Sequence, residues 1–399
     1  MKRSEIFLLL TLAFVQFTCI VDFMVLMPLK PMLTQLWGIN PLQFGVAVFA
    51  YGFGAFTSSM LCVNKVDRFD RKKVLVFIYA GFTIGTFFCG LANSFILLVV
   101  ARFITGLFGG VAGSIIQSIV GDAIPAQRRG QAMGILMSGF ALASIVGVPG
   151  GLYLAAKFAW YTPFLVLGSI CFFVFIGILI LVPSFVTHLL TYKPQTFIGV
   201  MKSVLAEKNR RWALLLSMVI MPSHFFIIPF LTDYFTINLK FDYASTVPLI
   251  YIIGGGLTAF TSPLIGKLSD KIGRFKVLAG LSILSLIPLI GITNLHTDNK
   301  VVLLCFTASF FVFSGTRMVI SMAHTTSTAE PSIRGAFLII NASLSQFATS
   351  IASLIGGLII VQAQDKTLHN YPYLGYLGVL FGIIALVVFA KVKTVKVGN

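Results

Sequence analysis

Charged side chains are scarce in this sequence. Asp, Glu, Lys and Arg together make up 10% of its 399 residues, whereas hydrophobic residues make up 57%. A typical soluble domain is about one-quarter charged and close to half apolar. The composition therefore argues against a soluble enzyme or binding domain and indicates an integral membrane protein.

Groups that support catalysis are also rare. The five cysteines, an odd number, lie in or beside apolar segments and lack metal-ligand spacing, so we predict no disulfide framework and no metal site. No GxxxxGK[ST] segment occurs, which argues against ATP as the energy source. No nucleophile–base cluster or appended signalling domain supports an enzyme or a receptor. We expect a protein that is not an enzyme and needs no cofactor.

Long apolar runs are what the sequence has in abundance. Twelve of them reach the length of about 20 residues that a membrane-spanning helix needs. They lie at roughly 6–33, 43–63, 74–93, 95–121, 131–156, 161–186, 211–232, 245–265, 276–294, 301–327, 336–362 and 372–391. The sequence thus predicts an all-α membrane protein with twelve transmembrane helices.

Positive charge is distributed unevenly between the predicted loops. The net charge is +17, and 22 of the 29 Lys and Arg residues fall on the side that holds both termini, against four on the other side. Cytoplasmic loops of membrane proteins carry such an excess. The bias predicts cytoplasmic termini, and it accounts for the net charge without nucleic acid as a partner.

Short signatures recur at a nearly fixed offset. DRFDR at 67–71 matches DKIGR at 270–274, 203 residues later, and PAQRRG matches PSIRG at an offset of 205. Gly150 and Gly151 match Gly356 and Gly357 at 206. Parallel repeats of this kind are a known transporter plan. We predict six-helix bundles at 1–186 and 211–399, joined by a cytoplasmic linker at 187–210 that includes an interfacial helix from Thr196 to Lys208.

The motifs resemble those of a known family. GKLSDKIGR at Gly266–Arg274 carries the loop signature G-x-L-[AS]-D-x-x-G-R, and its first copy has Asp70 where a glycine is usual. RFITG at Arg102–Gly106 and GVPGG at Gly147–Gly151 resemble signatures of the fourth and fifth helices. The whole chain is similar to the major facilitator superfamily, and within it to bacterial drug:proton antiporters. The resemblance implies two pseudo-symmetric six-helix bundles that work by alternating access.

The first apolar segment contains one carboxylate, Asp22, and the fourth contains Arg102. An ionisable group inside a span is costly unless it is paired, protonated or hydrated. Asp22 lies about 11 residues and Arg102 about 7 residues from the outer ends of their segments, or roughly 16 and 10 Å deep at 1.5 Å per residue. An arginine side chain can bridge that difference. We predict a proton-coupling pair; the alternative is a static ion pair that fixes helix packing.

Charged motifs at the helix ends and a glycine-rich motif in the middle of helix five predict a conformational latch. Asp67 at the end of helix two and Arg71 can interact with the start of helix eleven and with Asp122 at the end of helix four. The alternative is ordinary positive charge on an inner loop. Gly147 and Pro149 predict close helix packing and a kink in helix five. The second copy of the latch consists of Asp270, Arg274, Glu330 and Arg334.

Polar and aromatic residues within the predicted helices are candidates for contact with substrate. Arg317 can bind an anionic substrate, anchor a gate or form a structural pair, and His224 lies 202 residues after Asp22, nearly the repeat offset. A packing role is the simpler alternative for each. The remaining candidates are the amides Gln117, Asn341 and Gln346 and the aromatic residues Phe225 and Tyr251.

The expected function is proton-coupled efflux of a small amphipathic or hydrophobic compound, as in multidrug resistance, with the proton as the coupling ion. This direction rests on the family resemblance. The alternative is a proton symporter that imports a nucleoside, sugar or amino acid. We expect a monomer in the bacterial inner membrane, with a small-molecule substrate, protons and membrane lipid as its partners.

Overall fold

The computed structural model describes residues 3–125, 128–186, 189, 196–329 and 333–393. Within these ranges, twelve helical spans are long and apolar enough to cross a membrane. Numbered in chain order, spans 1 to 12 are Arg3–Trp37, Pro41–Cys62, Arg71–Gly90, Phe95–Ala123, Gln131–Lys157, Thr162–Leu181, Lys208–Asn238, Tyr243–Ile272, Arg274–Thr293, Lys300–Thr326, Arg334–Ile359 and Tyr371–Lys391. Helices satisfy their own backbone hydrogen bonds, so such spans can cross hydrocarbon. The chain is a multi-pass membrane protein with the predicted all-helical frame.

Three spans are interrupted. Span 1 consists of Arg3–Val25, a 3₁₀ turn at Met27–Leu29 and Lys30–Trp37. Span 5 consists of Arg129–Leu142, a π-helical turn at Ala143–Gly147 and Val148–Lys157. Span 7 consists of Lys208–Ile220, Pro222–Phe225, Ile228–Asp233 and a π-helical turn at Tyr234–Asn238. Prolines stand at or next to these breaks, where the missing N–H removes a helical hydrogen bond.

Short elements also lie outside the spans. They are a 3₁₀ turn at Val66–Arg68, a helix at Phe197–Leu205 and a two-stranded hairpin of Val361–Gln362 with Leu368–His369. The helix at Phe197–Leu205 is shorter than the predicted segment from Thr196 to Lys208. Thr196 caps it by accepting from the Gly199 N–H at 3.1 Å. Glu207 is extended and begins the next helix, so the chain breaks before span 7.

We call spans 1 to 6 the first half and spans 7 to 12 the second half. Between the halves, span 2 packs along span 11, span 5 packs on span 8, and span 1 packs on span 7. Phe56 of span 2 stacks on Phe347 of span 11 with ring centroids 4.6 Å apart. That each half moves as one body stays a prediction.

We call the face on which span 1 begins at Arg3 and span 12 ends at Lys391 the terminal face, and the opposite face the distal face. At the distal face, a Cβ added to Gly45 would lie 2.9 Å from the Ser353 backbone oxygen, so spans 2 and 11 are in backbone contact. Span 8 packs mainly on the distal part of span 5, at Ala143–Lys157, and less on Arg129–Leu142. The halves are therefore closed against each other on the distal side.

Candidate functional site

Asp22 and Arg102 form a fully buried ion pair between spans 1 and 4. Nη1 of Arg102 lies 2.6 Å from Oδ2 of Asp22 and donates to its backbone oxygen at 3.0 Å. Thr86 of span 3 donates to Oδ1 at 3.1 Å. Neither charged side chain has any exposed surface. Three spans thus meet at one carboxylate, and the structure brings together the two residues that the sequence analysis paired by depth.

The guanidinium of Arg102 is only partly satisfied. The ring of Tyr51 from span 2 covers it, with the ring centroid 4.4 Å from Cζ, which is a cation–π contact. Gly106, one turn further along span 4, makes this possible: an added Cβ would lie 2.9 Å from the Tyr51 Cα. Nε and Nη2 of Arg102 have no hydrogen-bond partner among the described residues. These N–H groups can bind an acceptor that enters the site.

Arg317 lies in span 10, the second-half equivalent of span 4, but at a different depth from Arg102 and in different surroundings. Its side chain is buried, and Nη2 donates to Oγ of Ser223 in span 7 at 3.0 Å. No carboxylate among the described residues lies within ion-pair distance of Arg317. His224 is buried beside it, with Nδ1 3.2 Å from Oγ of Ser223. The structure therefore places Arg317 and His224 around one hydroxyl group.

The aromatic candidates lie at the boundary between the halves. Phe225 is half-buried, and its ring centroid is 6.0 Å from that of Phe23 in span 1. Tyr251 is buried in a small apolar cluster with Val148 and Leu152 of span 5. Both residues thus contact the first half from the second half.

The three amide candidates are not gathered at one point. Gln117 is half-buried in span 4, and Gln346 is half-buried in span 11 beside Gly52 of span 2. Asn341 of span 11 is buried, and its Oδ1 has no hydrogen-bond partner among the described residues. In that same part of the chain, no group of three or more His, Cys, Asp or Glu side chains is positioned to hold a metal ion.

Arg71 forms salt bridges with two carboxylates at the terminal face. Its Nε lies 2.6 Å from Oδ2 of Asp122, and its Nη1 lies 2.7 Å from Oδ1 of Asp67. Asp67 is 48% exposed and Asp122 is 26% exposed. Both partners belong to the first half, so these bonds tie the loop between spans 2 and 3 to the end of span 4.

The second copy of this motif is looser. Arg274 donates to Asp270 at 3.5 Å and to the backbone oxygen of Ala323 at 3.0 Å. Arg334 donates to the backbone oxygen of Ala329 at 3.3 Å. Glu330 lies outside the described residues. The two copies share the Asp–Arg spacing, and among the described residues the first copy engages two carboxylates and the second copy one.

Asp70, which replaces a motif glycine, has a distinct structural role. Its carboxylate accepts from Ser184 Oγ at 2.6 Å, from the Phe185 N–H at 2.9 Å and from the Lys72 N–H at 3.0 Å. It therefore caps the helix of span 3 and ties it to the end of span 6. Burial raises the pKa of the Asp70 carboxyl, but these hydrogen bonds outweigh it and hold the pKa below the usual range. The departure from the motif signalled this residue, but not its partners.

The GVPGG motif lies directly at the break in span 5. Gly147 ends the π-helical turn, and Pro149 is buried in the helix that follows. A Cβ added to Gly147 would lie 3.3 Å from the Phe17 ring and closer still to Val21, so this glycine faces span 1. Span 8 of the second half contacts other residues of span 5, including Ser144: a Cβ added to Gly255 would lie 2.7 Å from the Ser144 Cβ.

Lys30 and Asp233 form a second buried ion pair, which the sequence analysis missed. Nζ of Lys30 contacts Oδ2 of Asp233, and both side chains have no exposed surface. The pair joins span 1 to span 7 and so connects the two halves toward the distal face. The signal in the sequence was the separation of 203 residues, which equals the offset between the two loop signatures.

Comparison with known proteins identifies the family. Residues 12–352 match the Major Facilitator Superfamily, so the chain belongs to that superfamily. It is 27% identical over 384 residues to the uncharacterized MFS-type transporter YceJ of Bacillus subtilis (strain 168), covering 95% of this chain and 94% of that one. It is 25% identical to YbcL of the same organism, covering 85% and 84%. Transporters of this superfamily bind small molecules, are not enzymes and need no cofactor.

Solved structures show the same fold. The nucleoside transporter NupG has a TM-score of 0.75 at 14% identity, covering 98% of this chain and 100% of that chain. A D-xylose–proton symporter has a TM-score of 0.73 at 16% identity, covering 96% of each chain. The protein is thus a membrane transporter with the major facilitator fold.

Proposed function

We propose that the protein is a secondary active transporter that exports a small, amphipathic or hydrophobic organic compound in exchange for protons. The observation that supports this most directly is the buried pair of Asp22 and Arg102. A carboxylate inside a span is a functional candidate because it is costly to keep there. The resemblance to drug:proton antiporters supports export as the direction.

The surroundings of Asp22 couple its protonation to its neighbours. A proton that binds the carboxylate neutralises it and removes the charge that Arg102 pairs with. Arg102 keeps its own charge and must then find another acceptor. Protonation from the outside thus reorganises the pair and favours release of substrate there, and loss of the proton to the cytoplasm restores the pair and resets the carrier.

The site has contacts from several spans through which such a change can spread. Thr86 of span 3 is hydrogen-bonded to the Asp22 carboxylate, and the ring of Tyr51 of span 2 packs on the Arg102 guanidinium. Span 2 packs along span 11 of the second half. A change in the pair can therefore be felt at the boundary between the halves. We propose substrate contacts at this boundary, from Phe225, Tyr251, Gln346 and Asn341, with Gln117 on the first half.

The terminal face is the proposed cytoplasmic side of a bacterial inner membrane. The excess of Lys and Arg on that side supports this orientation. The hydrogen-bonded bracket of Arg71 and the second copy around Arg274 steady the loops of this face while the halves move. We propose that a single chain forms the working unit, because each chain contains both halves.

Proteoliposomes test the proposal. Purified protein is first screened by thermal shift against drugs, lipids, sugars and nucleosides, and a stabilising compound is then followed together with an enclosed pH dye. Wild type should move protons against the compound. Asp22→Asn should lose this coupling while remaining folded, whereas Asp298→Asn, at an exposed acid in the distal loop before span 10, should not.

The same assay separates export from import. If an inward proton gradient drives accumulation of the compound rather than its expulsion, the protein is a symporter, as is the D-xylose–proton symporter of similar fold. The vacuolar membrane amino acid uptake transporter fnx2 of Schizosaccharomyces pombe is also similar to this chain. The two are 39% identical over 100 residues, which cover 25% of this chain and 17% of that one. Full proton coupling in Asp22→Asn would remove the assigned role of Asp22.

A further inference from the structure

The charges inside the spans do not balance. Among the described residues, the charged side chains with at most 1% exposure are Lys30, Arg102, Arg317, Asp22 and Asp233. Lys30 pairs with Asp233, and Arg102 pairs with Asp22. Arg317 is the cation left over. A buried charge without a counter-ion is strongly unfavourable, so an anion belongs beside it in at least one state of the cycle.

The surroundings of Arg317 are suited to an oxyanion. Ser314 and Ser321 lie on the same face of span 10, three residues before and four residues after it. Their hydroxyls and Nε of Arg317 have no hydrogen-bond partner among the described residues. Gly382 of span 12 leaves room beside the guanidinium, since an added Cβ would lie 3.1 Å from Nη1. With Ser223, one cation and three hydroxyls share this region, and no acid among the described residues pairs with the cation.

We propose that the substrate carries a carboxylate, or an oxyanion of similar shape, that pairs with Arg317. This inference rests on the proposed transport function and narrows its substrate class. A guanidinium binds a carboxylate through two parallel N–H groups, which is stronger and more specific than contact with a neutral amide. An amphipathic compound then binds with its charged end at Arg317 and its apolar part toward Phe225 and Tyr251.

A panel of matched compounds tests the substrate class. Hexanoate, benzoate and naphthoate are compared with their primary amides and with the corresponding amines by thermal shift and by proteoliposome uptake. Carboxylates should bind wild type at least about tenfold more tightly than their amides, a difference of about 1.4 kcal/mol. Arg317→Gln should lose that preference and Arg317→Lys should retain part of it.

Three outcomes separate this inference from the proposed function. Equal binding of acids and amides, or no difference between wild type and Arg317→Gln, would overturn the anionic class. If neutral or cationic compounds then exchange with protons, the proposed transport function stands without it. If carboxylates bind through Arg317 but no proton moves, the anionic substrate class is supported and the proposed proton-coupled transport is contradicted.

A different observation, the pair of Lys30 and Asp233, supports a second inference. The two residues are separated by the repeat offset, so they occupy equivalent positions in spans 1 and 7. Each stands at a helix break: Lys30 follows the 3₁₀ turn, and Asp233 precedes the π-helical turn. Equivalent positions of two repeats meet where the pseudo-symmetry axis passes. The pair therefore lies at the centre of the contact between the halves.

The packing around this pair closes the distal side. Phe44 and Phe230 contact each other, with centroids 6.2 Å apart, and both lie against the Lys30 ammonium, with centroids 5.9 and 5.7 Å from Nζ. Oδ1 of Asp233 has no hydrogen-bond partner among the described residues. Spans 1 and 7 cannot separate toward the distal face without breaking the ion pair. We infer that it is a distal lock, which opens and closes once in each transport cycle.

Removing one charge of the lock and removing both charges should have opposite effects on the distal side. An apolar pair of similar volume holds two surfaces together as well as, or better than, a buried ion pair, whereas a single unpaired charge drives them apart. Asp233→Leu alone should therefore favour the distal-open state. The double variant Lys30→Met with Asp233→Leu should favour the distal-closed state and slow transport. The charge exchange Lys30→Asp with Asp233→Lys should re-form the ion pair and restore transport.

Cysteine labelling from the distal side measures the state directly. Val48→Cys in span 2, buried one turn after Phe44, reports opening through its alkylation rate by a membrane-impermeant maleimide, on a background with the native cysteines replaced. The rate should rise at least about fivefold in Asp233→Leu and fall below wild type in the double variant. The pair would be merely structural if the single and the double variant changed the alkylation rate in the same direction. The same conclusion would follow if the charge exchange did not restore the wild-type rate.

Discussion

Nη1 of Arg102 contacts Asp22 twice, at the carboxylate oxygen Oδ2 and at the backbone oxygen of the same residue. The second contact does not depend on the charge of Asp22. When the carboxylate is neutralised, the arginine is still held against the backbone of span 1. The structure thus allows the ion pair to be lost without releasing the side chain, which keeps Arg102 close enough to restore the pair.

This arrangement predicts an order of stability among variants of the pair. Arg102→Gln leaves Asp22 buried without a cation and should cost on the order of 3–5 kcal/mol. Asp22→Asn leaves Arg102 buried without a counter-ion, although it retains the backbone contact, and should cost a similar amount. The double variant Asp22→Asn with Arg102→Gln should be more stable than Arg102→Gln alone. Thermal shift of the purified proteins gives the order; a double variant less stable than both single ones would contradict it.

Arg71 predicts a graded response at the terminal face. Its bond to exposed Asp67 is largely screened by water, so Asp67→Asn should change the stability by less than about 1 kcal/mol. Asp122 is more buried, so Asp122→Asn should be more destabilising, and Arg71→Gln, which removes both bonds, the most. Melting temperatures and transport rates of the three variants test the order. Equal effects of Asp67→Asn and Asp122→Asn would argue against the difference in burial as its cause.

Asp70 predicts a pH dependence with a definite sign. Its pKa is lowered in the folded protein, mainly because the hydrogen bonds from Ser184 and Phe185 outweigh the effect of burial. The stabilisation is therefore complete above the ordinary carboxyl pKa of about 3.9 and is lost as the pH falls through the folded-state value. Wild type should melt higher than Asp70→Asn at neutral pH, and the difference should shrink below about pH 4. A difference that grows on acidification would contradict the assignment.

Gly106 predicts a packing effect with a matched control. Its α-carbon faces the backbone of Tyr51, so Gly106→Ala forces spans 2 and 4 apart and should destabilise the protein by about 1–3 kcal/mol. Gly256 of span 8 has no neighbouring atom within 4 Å of an added Cβ, so Gly256→Ala should be neutral or slightly stabilising. Thermal melts of both variants decide; equal melting temperatures would contradict the contact.

Much of the frame could be predicted from sequence because the membrane imposes it. Apolar runs of spanning length fixed the number of helices, and depth along two antiparallel helices was enough to bring Asp22 and Arg102 together. Lys30 and Asp233 were harder. Lys30 stands near the end of its predicted segment, where a lysine that reaches the interface is common. Asp233 fell one residue beyond the predicted segment 211–232, because the π-helical turn extends span 7 to Asn238.

The partners of Asp70 were also out of reach of sequence. Ser184 and Phe185 follow span 6, more than a hundred residues away, and no motif connects them to the loop before span 3. Polar contacts between segments so far apart depend on how the helices pack. A serine and a phenylalanine after a span do not by themselves indicate that they bind Asp70.

The contact of Gly255 with Ser144 bears on how the molecule moves. Ser144 lies within the π-helical turn that divides span 5, so span 8 touches its neighbour at the point where that helix is already irregular. We propose that the two halves turn about this contact, where Gly255 has no side chain to keep spans 5 and 8 apart. A bulkier residue there would act as a wedge and bias the opening without altering any charge.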